Sequence, residues 1–232
     1  MKVLLICDEK YHPGEVPIEG TAPLMAKGFQ IDVMRDSSEF KIEMLKEYPL
    51  VIMSNCDQIS PDNNESWKTA EIQQGFVDFV ENGGGLLVTH SGTVAGKDTS
   101  ILDKLIGSKF SYHPNQTPMM VSPLKPHPIT EGVEDFREDD EQYELQFLVD
   151  DIDIFMASRR PSQGSEKRAA DDPYHNSPSK LCACGYTRTQ GKGRVCVLTP
   201  GHNVEVWLNP NYQRALENAL HWCAGKLSGR IS

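Results

Sequence analysis

"GGGLLVTHSG", residues 83 to 92, decides the fold. Gly83 to Gly85 end whatever precedes them. Leu86 to Val88 read as a short buried strand, and Thr89-His90-Ser91-Gly92 as a sharp turn at its end. In open α/β sheets ligands lie beyond the carboxyl ends of the strands, where such a turn falls. A histidine and a serine therefore stand where a strand-end site is expected.

Outward from this stretch, "KVLLIC" (2–7) is a continuous apolar run of the kind shown by a parallel strand covered on both faces. "FQIDVM" (29–34) and "LVIMS" (50–54) are further strands. Helical patterns separate them: a short one around Pro23 to Lys27, then "SSEFKIEMLKEY" (37–48) with a serine N-cap candidate and Phe40, Met44 and Leu45 at helical spacing. Residues 65–82 place Ile72, Phe76, Phe79 and Val80 on one helical face and stop at Gly83. Strands alternating with helices predict βαβ units and a parallel core built from 2–7, 29–34, 50–54, 86–90 and 194–199.

The second half is less regular. "TPMMVSPL" (117–124), "LQFLVDD" (145–151) and "DIFMAS" (153–158) are strand candidates, and residues 159–180 read as a polar surface loop. "KLCACGYTRTQGKGRVCVLTPGH" (180–202) reads as two strands joined at Gly191-Lys192-Gly193. A last helix over 210–225 starts at a proline and ends at Gly225. No internal repeat is evident, and the expectation is one domain over 1–232.

Composition narrows the function classes. The net charge of −10 argues against a nucleic-acid partner, which needs a clustered basic surface. No apolar run approaches the ~20 residues that span a bilayer, and "MKVLLICDEK" is no secretory signal, so no membrane partner and a cytoplasmic location are expected. The six cysteines (7, 56, 182, 184, 196 and 223) form no CxxC, and they read as buried reduced thiols.

Two strand-end turns, "THSG" (89–92) and "TPGHN" (199–203), stand beside "HPI" (127–129), "DDEQYELQ" (139–146), "GKGRVCVLTPGHN" (191–203) and "NALHWCAG" (218–225). Together these stretches resemble the ThuA-like, or trehalose-utilisation, family over nearly the whole chain. The resemblance implies the fold of the class I glutamine amidotransferases: a flavodoxin-like, doubly wound, mostly parallel sheet with helices on both faces. In that superfamily the strand-end turn is a nucleophile elbow, Gly-x-Cys-x-Gly. Laid on it, Thr89-His90-Ser91-Gly92 puts His90 in the cysteine's place, and His202 matches the partner histidine. The superfamily's glutamate lies two residues after that histidine, but here position 204 is Val and Glu205 is one further on. A histidine cannot form the thioester that a thiolate forms, so glutaminase activity is not expected.

His90 either shapes its turn by a local hydrogen bond or faces the ligand crevice. Ser91 is a nucleophile if His202 activates it, or a helix N-cap, and the cap is the preferred reading. Gly201, just before His202, would let backbone approach a ligand. Trp207 is either packed or a sugar-stacking platform. His12, in "YHPG" after the first strand, sits on the same sheet edge and would join the site. The acidic run Asp139, Asp140 and Glu141, with Tyr143 and Glu144, reads as a solvated face. The resemblance singles out Glu141 and Tyr143, since the family often carries an acid and a tyrosine there. His127 reads as a turn former, while His113, His175 and His221 carry no argument beyond surface or core placement.

These candidates divide into catalytic His90, His202, Glu141 and Tyr143, and substrate-binding His12, Ser91, Gly92, Gly201 and Trp207. No cofactor is dictated by the sequence. A divalent ion such as Zn²⁺ is the candidate, with His90, His202 and Glu141 as ligands, although no HExxH-type spacing is present. His90, His202 and Glu141 are expected to converge on one pocket, with Leu145 and Phe147 buried beside them. The resemblance implies carbohydrate utilisation, with a sugar or keto-sugar derivative as small-molecule partner and acid–base or metal-assisted chemistry. A non-catalytic sugar-binding module is the other reading, and a homo-oligomer is compatible with either.

Overall fold

The computed structural model describes residues 1–160 and 181–227. The polar segment read as a surface loop falls, from residue 161 on, outside the described residues, and His175 with it. The first half runs β1 (Lys2–Cys7), α1 (Glu15–Met25), β2 (Gln30–Met34), β3 (Leu50–Ser54), β4 (Gln58–Ser60), β5 (Asn63–Ser66), α2 (Ala70–Glu81), β6 (Gly85–Thr89) and α3 (Ser100–Ile106). The second half runs β7 (Ser108–Tyr112), β8 (Thr117–Pro123), β9 (Phe136–Asp140), β10 (Glu144–Phe147), β11 (Asp153–Arg159), β12 (Leu181–Gln190), β13 (Gly193–Leu198), α4 (Val204–Leu208) and α5 (Pro210–Cys223).

The main sheet has the order β2-β1-β3-β6-β13-β12-β11-β8-β9. Its first five strands pair in parallel, as the apolar runs predict, in the flavodoxin-like order that reverses between β1 and β3. Antiparallel β12, β11, β8 and β9 extend the sheet beyond β13. The central strands are apolar at successive positions because both faces are buried. Val3, Leu5, Ile52, Leu87 and Leu198 face one core with α1, α4 and α5; Leu4, Ile6, Val51, Val88 and Val197 face the other with α2 and α3.

Several local expectations are corrected. The first helix begins at Glu15, well before Pro23, because Pro17 falls in the first turn, where its missing N–H has no intrahelical partner to lose. The pattern over 37–48 forms two 3₁₀ turns, Ser37–Glu39 and Ile42–Glu47, with Phe40 and Lys41 extended between them. Asp36, not a serine, caps the first, and Tyr48 is held extended before Pro49. Residues 63–66 pair with β4 in a hairpin, so the next helix starts only at Ala70, with the Thr69 side chain accepting from the Ile72 amide. β10 pairs with β7 in a separate two-stranded sheet, which leaves Phe147 39% exposed where burial was expected.

Close packing of α1 on α4 fixes one edge of the site. A Cβ on Gly20 would lie 2.4 Å from the Trp207 Cβ. Gln213 Nε2 donates to both Gly20 and Trp207 carbonyls, at 2.6 and 2.7 Å. Gly20→Ala gains about 1 kcal/mol of helix propensity, against roughly 1–3 kcal/mol of overpacking next to a backbone-proximal atom. The variant is expected to unfold in urea with a lowered free energy. A rise would contradict this packing.

Candidate functional site

β6 delivers His90 directly into a turn at φ 41°, one of two positive-φ residues other than glycine among those described. The turn is tight because Gly92 lies under β3: a Cβ there would sit 2.3 Å from the Met53 carbonyl oxygen. The Thr93 hydroxyl closes the turn on the His90 carbonyl at 2.8 Å. Nδ1 of His90 lies 2.8 Å from the Thr199 carbonyl. Only a donor suits that carbonyl, so the proton sits on Nδ1 and the Nε2 lone pair faces the crevice.

His202 comes from the turn after β13. Gly201 at φ 146° places two amides on one side, and the Asp140 carboxylate at the end of β9 accepts from Gly201 at 2.8 Å and from His202 at 3.0 Å. Asp140 also accepts the Glu141 amide at 2.8 Å. One carboxylate thus joins the two turns that carry His202 and Glu141. The acidic run is therefore solvated at Asp139 only: Asp140 is fully buried and Glu141 nearly so.

Among the described residues four imidazoles surround Glu141. Its Oε2 lies 3.1 Å from His202 Nδ1, 3.4 Å from His90 Nε2, 3.6 Å from His113 Nε2 and 3.9 Å from His12 Nε2. The rings of His12, His90 and His202 lie 4.8 to 5.4 Å apart, centroid to centroid. The expected convergence of His90, His202 and Glu141 is thus found, and His12 joins them.

Burial opposes the charge on Glu141, yet contacts with His12, His202 and His90 outweigh it and hold the carboxyl far below its ordinary range. Burial likewise opposes protonation of His12, but Glu141 and Glu9 raise its pKa to about 9. His90, fully enclosed, is pushed down by burial. Burial also drives the Tyr143 phenol up, reinforced by the Glu141, Asp140 and Glu9 carboxylates, so it stays protonated.

Among the described residues His90 Nε2, His202 Nδ1 and Glu141 Oε2 are buried without a hydrogen-bond partner, although they face one another. Buried polar atoms left in this way are costly unless something satisfies them together. With His12 these groups offer four ligand atoms, all within 4.8 Å of one another. Two ligand atoms on a tetrahedral Zn²⁺ stand about 3.3 Å apart, which matches the contacts around Glu141. The cluster could hold a divalent metal.

The cluster opens into a cleft of about 780 Å³ lined by Glu9, Tyr11, Asp57, Lys97, Phe110 and His113 among others. Tyr143 forms part of its wall, with its ring 4.2 Å from that of His90 and its hydroxyl 3.4 Å from His12 Nε2.

Four binding assignments fail on burial. Trp207 is completely enclosed and donates to the Gly201 carbonyl, so it packs and offers no sugar platform. Ser91 donates to the Ser54 carbonyl at 3.2 Å, and the turn's N-cap is Thr89, so Ser91 caps nothing. Gly92 and Gly201 shape the turns from beneath and do not line the cleft. Sequence reasoning missed His113 and Glu9. His113 follows β7, which was not recognised as a strand, and Glu9 looks like part of an ordinary charged loop. His127 shapes a turn, as expected, by accepting the Ile129 amide.

The chain belongs to the ThuA family, described as trehalose utilisation, whose sequence model matches residues 2–223. A ThuA-like protein from Parabacteroides merdae ATCC 43184 has a similar fold at TM-score 0.73 and 18% identity, covering 100% of this chain and 92% of its own. Another, from Bacteroides uniformis ATCC 8492, gives 0.71 and 21%, covering 96% and 91%. A β-galactosidase from Rahnella sp. R3 gives 0.58 and 13%, covering 92% of this chain but only 30% of its own. No curated protein matches the chain by sequence. No helix among the described residues is long and apolar enough to cross a membrane.

Asp140→Asn sets an NH₂ group against an amide donor at the junction of both turns. It is expected to lower the free energy of unfolding in urea by about 2–4 kcal/mol. Unchanged stability would show that Asp140 does not hold the two turns.

Proposed function

We propose that the chain is a metal-dependent enzyme of carbohydrate utilisation, acting on a sugar or keto-sugar derivative and without glutaminase activity. The observation that carries this reading is the set of unpartnered ligand atoms on His90, His202 and Glu141, with His12 beside them, at the bottom of an open cleft. A divalent ion there would polarise a carbonyl or lower the pKa of a water. His12, His90, His202 and Glu141 would hold it, while the protonated Tyr143 hydroxyl would donate a hydrogen bond to a substrate oxygen. The family's association with trehalose utilisation supports a sugar. So do the ring of Tyr11, 65% exposed at the cleft, and the nearby polar groups Asp57, Gln58, Asn64 and Ser66. Among the described residues Lys97 is the only Lys or Arg lining the cleft, which favours an uncharged substrate over a phosphorylated one.

Thiol chemistry is disfavoured on physical grounds. Cys56 lines the cleft, but burial pushes its thiol up to about 11, leaving no thiolate at neutral pH. A second reading, a sugar-binding module without turnover, draws on the β-galactosidase whose longer chain carries this fold as one part.

Metal content of the purified protein, followed by assays on sugars and their keto derivatives, tests the reading. Turnover is expected to vanish on chelation and return with added metal, and glutamine is expected to release no ammonia. Undiminished turnover after complete chelation would overturn it. Sugar binding without turnover by the metal-loaded protein would favour the module.

A further inference from the structure

We infer that Glu9 fixes the ring state and aim of His12 and so sets the metal affinity of the cluster; this rests on the metal-centre reading above. Glu9 is 2% exposed, and a carboxylate is buried to that extent only where partners compensate it. Its Oε2 accepts the Tyr11 amide at 2.8 Å and its Oε1 contacts His12 Nδ1. Glu9 and His12 also exchange backbone hydrogen bonds at 3.2 Å in both directions, closing a tight loop.

The loop is anchored at its base. Asp8, at φ 82°, accepts the Gly14 amide at 2.9 Å and pairs with Arg35 at 2.6 Å. Glu9 is therefore held by the backbone and is not a side chain that happens to reach the ring.

A carboxylate on Nδ1 holds a proton there, so the proton given up when a metal binds is the one on Nε2, which faces Glu141 and the cleft. The ring then ligates with Nδ1 protonated, and histidine ligands commonly carry such a partner on the other nitrogen. His90 has the same arrangement through the Thr199 carbonyl, a backbone group that substitution does not alter. Glu9 is thus the testable half of the pattern. Charge points the same way. Among the described residues Glu9 and Glu141 are the two carboxylates touching the imidazole cluster, and one divalent cation cancels both if the rings are neutral.

Zn²⁺ affinity, measured by competition with a chromophoric chelator, is the readout, with metal-free melting followed in parallel. Glu9→Gln keeps the shape and removes the charge. It is expected to weaken Zn²⁺ binding about 10- to 100-fold, and to change the visible spectrum of the Co²⁺-loaded protein. In a His12→Ala background the same substitution is expected to have little further effect, because Glu9 acts through His12. If Glu9→Gln does not fold, Glu9→Asp, which withdraws the carboxylate by one methylene, carries the comparison. Wild-type Zn²⁺ affinity in the Glu9 variant, or an equal loss with and without His12, overturns the inference and leaves the metal centre standing. A wild-type chain that binds no divalent metal overturns both.

Discussion

The Asp140 carboxylate, fully buried, accepts three backbone N–H groups from two turns distant in sequence. Burial pushes its pKa up, while His90 and the three amides pull the other way. Every partner the structure gives its two oxygens is a donor, which suits the ionised form. Because Glu141 and His202 both neighbour these bonds, their separation follows from one side chain. The parallel core does the rest: β1, β6 and β13 end at the same sheet edge, so His12, His90 and His202 emerge together beyond the carboxyl ends of the strands.

What results is a dense group of nitrogen and oxygen atoms with too few protons to satisfy one another. In the metal-free protein, the raised pKa of His12 and the depressed pKa of Glu141 describe a buried ion pair. A cation would replace that pairing with four ligand bonds and satisfy the orphaned atoms as well. The strand-end turn holds His90 at a positive φ, and Cys56, the cysteine lining the cleft among the described residues, carries no thiolate at neutral pH.

The parallel core was legible because its strands are buried on both faces and so lack polar interruptions. His90 and His202 were legible for the same reason, since each ends such a run. Glu141 and Tyr143 stood out only through the family resemblance. Their segment alternates irregularly, and nothing in "DDEQY" signals that Asp140 and Glu141 turn inward. Trp207 was open to misreading because its burial depends on the missing Cβ of Gly20, far away in sequence. Glu9 and His113 were silent. The first depends on a positive φ at Asp8, and the second on a two-stranded sheet closed by β10.

Anomalous diffraction from crystals of the Zn²⁺-loaded protein tests the metal centre most directly. The prediction is a single strong peak bonded to His12 Nε2, His90 Nε2, His202 Nδ1 and Glu141 Oε2, at about 2.0–2.2 Å from each. Fully ordered rings with no peak among them, at saturating metal, would contradict it.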